Sequence, residues 1–291
     1  MPISFWQMTC LGLKPSNPCL GEFTLKTQRQ ALKTRLTHVI CGVAAASLLA
    51  STMAVSHAGD LKLRFEYAGA AAEPTALVVN KDVEFCGKHP VMNERLLVNK
   101  DNKGIQNVVV YVYTGRGGSE LDEVPEKKNT HVLENNACRF EPHIVICQTG
   151  DTLKVTNPDA VGHNANLPFF KNAAQNFLIP PGQEKSVLLE ETEPAPIPVE
   201  CNIHPWMRAY VVVLEHPYVA KSDENGDLVI KDLPEGKELT FRVFHEAGKI
   251  DDVKINGKAE KWSRSRFDVT INAGVNDLGT VVVPAEALSA E

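Results

Sequence analysis

Beyond residue 58 the chain has no second long apolar run, no long amphipathic helix pattern and no excess of basic charge. The first absence removes an internal membrane span, which needs about 20 strongly apolar residues. The second removes helical bundles. The third argues against nucleic acid as a partner, because an acidic surface repels phosphate backbones. Of the 30 Lys+Arg and 36 Asp+Glu, residues 1–58 carry five and one, which leaves 25 against 35 and a net charge of −10 for residues 59–291.

Residues 1–58 read as a signal peptide. Lys26, Arg29, Lys33 and Arg35 precede the apolar run His38 to Val55, which ends at Ser56-His57-Ala58 with small residues where a signal peptidase cuts. The competing reading is a membrane anchor, but the run is rich in Ala and Ser and barely long enough. The stretch before the basic residues is long for a leader, which points to a start further downstream. Export to the periplasm or the extracellular space is the expectation.

Of seven cysteines, Cys10, Cys19 and Cys41 leave with the leader, and Cys86, Cys138, Cys147 and Cys201 remain. In an oxidising compartment these are expected to be paired, metal-bound or buried.

The exported part reads as all-β. NVVVYVYTG (107–115), PHIVICQTGDTLKVTN (142–157), KSVLLE (185–190) and RAYVVVLE (208–215) are rich in Val, Ile, Tyr and Thr and are bounded by turn residues. Three segments follow: an N-terminal accessory β segment, 59–127, ending in the charged loop 120–129; a central segment, 128–215; and a C-terminal segment, 216–291, in which the strand pattern restarts as a small β-sandwich.

The central segment carries Cys201-Asn-Ile-His204-Pro-Trp-Met207, with a thiolate, an imidazole and a thioether inside seven residues. That soft set suits copper serving both Cu(I) and Cu(II), and zinc would rarely recruit the Met. The flanking strand-like residues place these ligands on a loop joining two strands. A second imidazole is needed from elsewhere, and His163 fits: it lies in the loop after a Gly-Asp turn and strand (149–157) and is followed by Asn164.

These residues carry a resemblance. CRFEPHIVICQTGDTLKVTNPDAVGHN (138–164) is similar to the segment that bears the first copper His in amicyanin and plastocyanin, and CNIHPWMRAYVVV (201–213) to the amicyanin copper loop. The likeness to cupredoxins covers residues 128–215. It implies a Greek-key β-sandwich holding one type 1 copper by His163, Cys201, His204 and Met207, the Met as a long axial ligand. It further implies that Asn164 braces the two ligand loops and that His204, beside Pro205 and Trp206, turns its edge to solvent as an electron port. Glu200 departs from the plastocyanin pattern, which has an aromatic residue there. Residues 216–246 resemble carboxypeptidase-regulatory-like or transthyretin-like modules.

Other residues invite competing readings. Cys86, His89 and Met92 repeat the Cys201 to Met207 spacing, but residues 59–85 contain no His, and only His131 or His143 is left to complete a second site. A disulfide, to Cys138, is the favoured reading of Cys86, and burial that of Cys147. His143, His216 and His245 read as structural, with His216 and His245 placed to meet at the junction of segments; Asp223, Asn225 and Asp227 read as a hairpin turn rather than a calcium loop.

The function implied is an electron shuttle whose partners are redox proteins such as c-type cytochromes or a dehydrogenase. A copper carrier or sensor and a structural-adhesive β protein are the alternatives. Catalysis is disfavoured: no His adjoins Cys201 to wire a second centre, and the loop has no second Cys for a dinuclear one.

Overall fold

The computed structural model describes residues 58–71, 73–125 and 128–291. The leader expected over residues 1–58 lies outside them, apart from its last residue. Among the described residues no helix is long and apolar enough to cross a membrane.

In chain order the strands are β1 (Ala58–Tyr67), β2 (Val109–Val112), β3 (Thr130–Asn136), β4 (Arg139–Glu141), β5 (Ile144–Gln148) and β6 (Thr152–Thr156). They continue as β7 (His163–Leu167), β8 (Gln175–Ile179), β9 (Glu184–Leu188), β10 (Ile197–Glu200), β11 (Arg208–Leu214) and β12 (Val219–Lys221). The last are β13 (Asp227–Pro234), β14 (Glu238–Phe244), β15 (Asp252–Ile255), β16 (Lys258–Lys261), β17 (Arg266–Thr270) and β18 (Gly274–Val283). A single helical turn, α1 (Val83–Cys86), lies between β1 and β2. The fold is all-β.

Two sheets, in the orders β4-β3-β6-β9 and β5-β11-β10-β7-β8, enclose one core. Leu133, Phe140, Leu153 and Val155 from the first meet Cys147, Leu167, Ile179, Val199 and Val211 from the second. Alternation along β6 puts Leu153 and Val155 inward and leaves Lys154 outside, as a sheet with one wet face requires.

A second pair of sheets, β13-β1-β18-β15-β16 and β12-β2-β14-β17, closes over Leu61, Leu63, Phe65, Val110, Phe241, Phe267 and Val281. Strand pairing therefore crosses the segment boundaries read from the sequence. From the N-terminal segment, β1 inserts between β13 and β18, and β2 between β12 and β14. The turn ahead of β13 is set by the Asp223 carboxylate, which accepts the amides of Asn225 and Asp227. Gly226 sits there at φ 79°, where a Cβ would come within 2.2 Å of the Phe65 carbonyl oxygen.

The runs VVYV and RAYVVVL have no polar alternation because β2 and β11 are covered on both faces. Val110 and Val112 face one sandwich core, and Ala209, Val211 and Val213 face the other. Between them, Val109, Tyr111, Tyr210, Val212 and Leu214 pack with Ile144 into a third cluster. That cluster welds the two sandwiches into one unit.

Candidate metal centre

The ends of β7, β10 and β11 meet at one edge of the first sandwich. Antiparallel pairing of β10 with β11, and of Glu200 on β10 with Asn166 on β7, brings the 201–207 loop beside His163. His163 opens β7 rather than lying in the loop before it. The loop is closed on itself by Met207 N–H donating to the His204 carbonyl at 2.9 Å.

Three donor atoms converge there. The Nδ1 atoms of His163 and His204 are 3.0 Å apart, and the Cys201 Sγ lies 3.7 Å from His204 Nδ1. Both rings are fully buried, and Cys201 is nearly so. Met207 is also buried, in the same core cluster as Cys201. Among the described residues, His163, Cys201 and His204 form a group whose ligand atoms all lie within 4.8 Å of one another.

The outward nitrogen of each ring is held by a carboxylate. His163 Nε2 is 2.8 Å from Asp159 Oδ2, and His204 Nε2 is 2.8 Å from Asp82 Oδ2. A carboxylate can only accept, so each Nε2 carries a proton, and each Nδ1, once it gives up its own proton, presents a lone pair inward. Asp159 also accepts the amides of Ala137 and Cys138, both at 2.8 Å, in a turn where those residues have φ of 53° and 57°.

The sulfur is prepared in the same way. Asn164 N–H and His204 N–H point at Cys201 Sγ from 3.3 and 3.4 Å. Burial pushes the Cys201 thiol up, but the hydrogen bonds of His163, His204 and these two amides outweigh it and bring it down to about 6. Burial would lower His163, yet Asp159 and the Cys201 sulfur hold it above the ordinary imidazole range. Asp159 is pushed up by burial and drawn down further by His163 and the two amides, so it stays a carboxylate. Two inward imidazole nitrogens and a low-pKa thiol are a donor set that fits copper.

Asn164 does join the loops: its Oδ1 accepts the Asn202 amide at 3.1 Å while its own amide reaches Cys201. The expected solvent-facing edge of His204 is absent. The ring is fully buried, with Trp206 on it at a centroid distance of 5.1 Å and Asp82 across its outer nitrogen. The N-terminal segment, expected to be accessory, supplies Asp82 to that cover. Glu200 pairs with Arg208 on the surface.

The second Cys-His-Met motif is not a site. Cys86 is disulfide-bonded to Cys138, His131 is held by Asp151 at 2.8 Å, and His143 lies between Glu94 and Glu246. Cys147 is buried, and burial, aided by Asp151, pushes its thiol far up. His216 and His245 do not meet; they sit at opposite ends of β2, on the carbonyls of Val112 and Gln106. Asp82 and Asp159 were missed in the sequence. Asp159 stands four residues before His163, a spacing that carries a signal only when the turn between them is known, and Asp82 carries none.

No family model matches the chain, and no curated protein matches it. Solved structures do match part of it. The oxidised state of an amicyanin variant is 26% identical over 28% of this chain and 79% of its own, with a TM-score of 0.26. A purple cupredoxin from Nitrosopumilus maritimus is 22% identical over 30% of this chain and 99% of its own, with a TM-score of 0.25. A copper-containing nitrite reductase from Thermus scotoductus SA-01 is 17% identical over 33% of this chain and 24% of its own, with a TM-score of 0.27. At that coverage the ligand assignment rests on this chain's own atoms.

Proposed function

We propose that this chain is an exported, non-catalytic protein that carries single electrons on one copper ion held by His163, Cys201 and His204, with Met207 completing the set. The observation behind this reading is the convergence of two Nδ1 atoms and one low-pKa sulfur in a buried pocket, each aimed by its own hydrogen bonds. When bound, copper supplies a one-electron couple between Cu(I) and Cu(II). The protein holds the donors in fixed places: Asp159 and Asp82 set the two rings, and the amides of Asn164 and His204 set the sulfur. Donors fixed this way move little when the charge of the site changes, which favours fast exchange. The partners are redox proteins such as c-type cytochromes or a dehydrogenase.

One observation weighs against direct electron exit at His204 and keeps a copper carrier as the second reading: the ring has no exposed edge. Stopped-flow mixing of copper-loaded protein with a reduced c-type cytochrome separates the two. Electron transfer predicts oxidation of one cytochrome per copper, lost in Cys201→Ser. A loaded protein that takes no electron from any partner tried, or a Cys201→Ser variant that still takes one, overturns the shuttle.

A further inference from the structure

Three features of the N-terminal segment converge on the metal pocket. Asp82, just before α1, places Oδ2 2.8 Å from His204 Nε2. Its side chain is 43% exposed while the His204 side chain is 0% exposed, so Asp82 stands between the ring and water. The last residue of α1, Cys86, is fully buried in the disulfide to Cys138, 52 residues away.

Cys138 is itself wired to the pocket from the other side. Its amide donates to Asp159, the carboxylate on His163, and its carbonyl accepts from Trp206 Nε1 at 3.0 Å, beside His204. The Cys86–Cys138 disulfide therefore joins the turn carrying Asp82 to the turn gripped by Asp159. Asp82 keeps this place at φ 43°, a left-handed conformation that is strained for a residue with a Cβ. The Asp82 main chain also serves α1, its carbonyl accepting the amides of Phe85 and Cys86.

We infer that Asp82 is a positioning residue and that residues 82–86 form a lid over the metal centre, with Asp82 fixing the His204 ring and closing its edge, and the Cys86–Cys138 bond fastening the lid. The inference rests on His204 being a ligand. It follows that metal exchange, and any contact of a partner with the His204 edge, waits on displacement of this lid. Carboxylates behind a ligating His typically contribute 10–100-fold in metal affinity.

The test uses the full-length exported chain labelled with ¹⁵N-histidine, as wild type, Asp82→Ala and Asp82→Asn. In the metal-free protein the His204 Nε2–H is expected to be protected from solvent exchange, at least about tenfold better than in Asp82→Ala, with Asp82→Asn, which keeps an acceptor, restoring most of it. The Nε2–H of His245, bonded to the Gln106 carbonyl, should stay protected in all three and shows that the fold is kept. In the copper-loaded protein a competing chelator should extract the metal about tenfold or more faster from Asp82→Ala. A His204 Nε2–H that exchanges freely in wild type, or protection and extraction rates unchanged in Asp82→Ala, overturns the lid. Failure of the wild type to bind copper overturns the copper reading instead and leaves the exchange result standing.

Discussion

Asp159 is the residue through which fold and site are most tightly coupled, and its removal has a calculable cost. The carboxylate is 6% exposed and accepts three hydrogen bonds, from His163 Nε2 and from the amides of Ala137 and Cys138. Bonds to a charged acceptor contribute about 1.5–3 kcal/mol each, but three that share one acceptor do not add. Breaking a buried pair by deleting one partner costs about 3–5 kcal/mol, and Asp159→Ala is expected in that range. Asp159→Asn should fall between, because an oxygen in the Oδ2 place still accepts from Cys138 and His163 while the NH₂ in the Oδ1 place faces the Ala137 amide. Urea unfolding of the metal-free protein measures both. A pH series adds a second check: the carboxyl sits below its ordinary range in the fold, so its contribution is present above the ordinary carboxylate pKa and is lost as pH falls. The alanine variant should have a flatter acid limb than wild type. A loss below about 1 kcal/mol for Asp159→Ala, or an unchanged acid limb, would refute the claim that this carboxylate is held as an acceptor of three bonds.

His245 gives a prediction of the same sign from a different cause. Burial drives it down to about 4, with Nε2–H on the Gln106 carbonyl and Nδ1 accepting the Ala247 amide. Between about pH 6.5 and 4 the unfolded chain binds the extra proton, so about 3 kcal/mol of stability should be lost to this group as pH falls through that window, and His245→Gln should remove that share of the dependence. Replacing Cys86 and Cys138 together by Ala opens a 52-residue loop, with an expected loss of about 4 kcal/mol in urea unfolding at neutral pH. Met207→Leu should keep the fold, since the two side chains fill similar volume in the core, while shifting the potential of bound copper in a redox titration.

Strands were legible where residues of one type ran between turn signals. KSVLLE holds β9 as far as Leu188, and PHIVICQTGDTLKVTN became β5 and β6 with the turn at Gly150 between them. The Cys86 to Cys138 pairing followed from compartment chemistry and is present. Partnership between strands was not legible. Nothing in VVYV says that β2 completes a sheet with β12 and β14 from the far end of the chain, because a buried strand reads the same whichever neighbour it takes. The same limit hid Asp82. A ligand loop announces itself by close spacing of Cys, His and Met, whereas the carboxylate that aims His204 lies 122 residues away and meets it only through the tertiary fold. It also reversed the expected exposure of His204, since Asp82, which closes off the ring's outer nitrogen, stands in no recognisable pattern with it.

The visible spectrum of the chain loaded with one Cu(II) tests the central claim most directly. With Cys201 as a thiolate ligand beside His163 and His204, an intense thiolate-to-copper charge-transfer band is expected, together with its loss in Cys201→Ser at unchanged fold. A copper-loaded protein without that band, or one whose colour survives Cys201→Ser, would contradict the account.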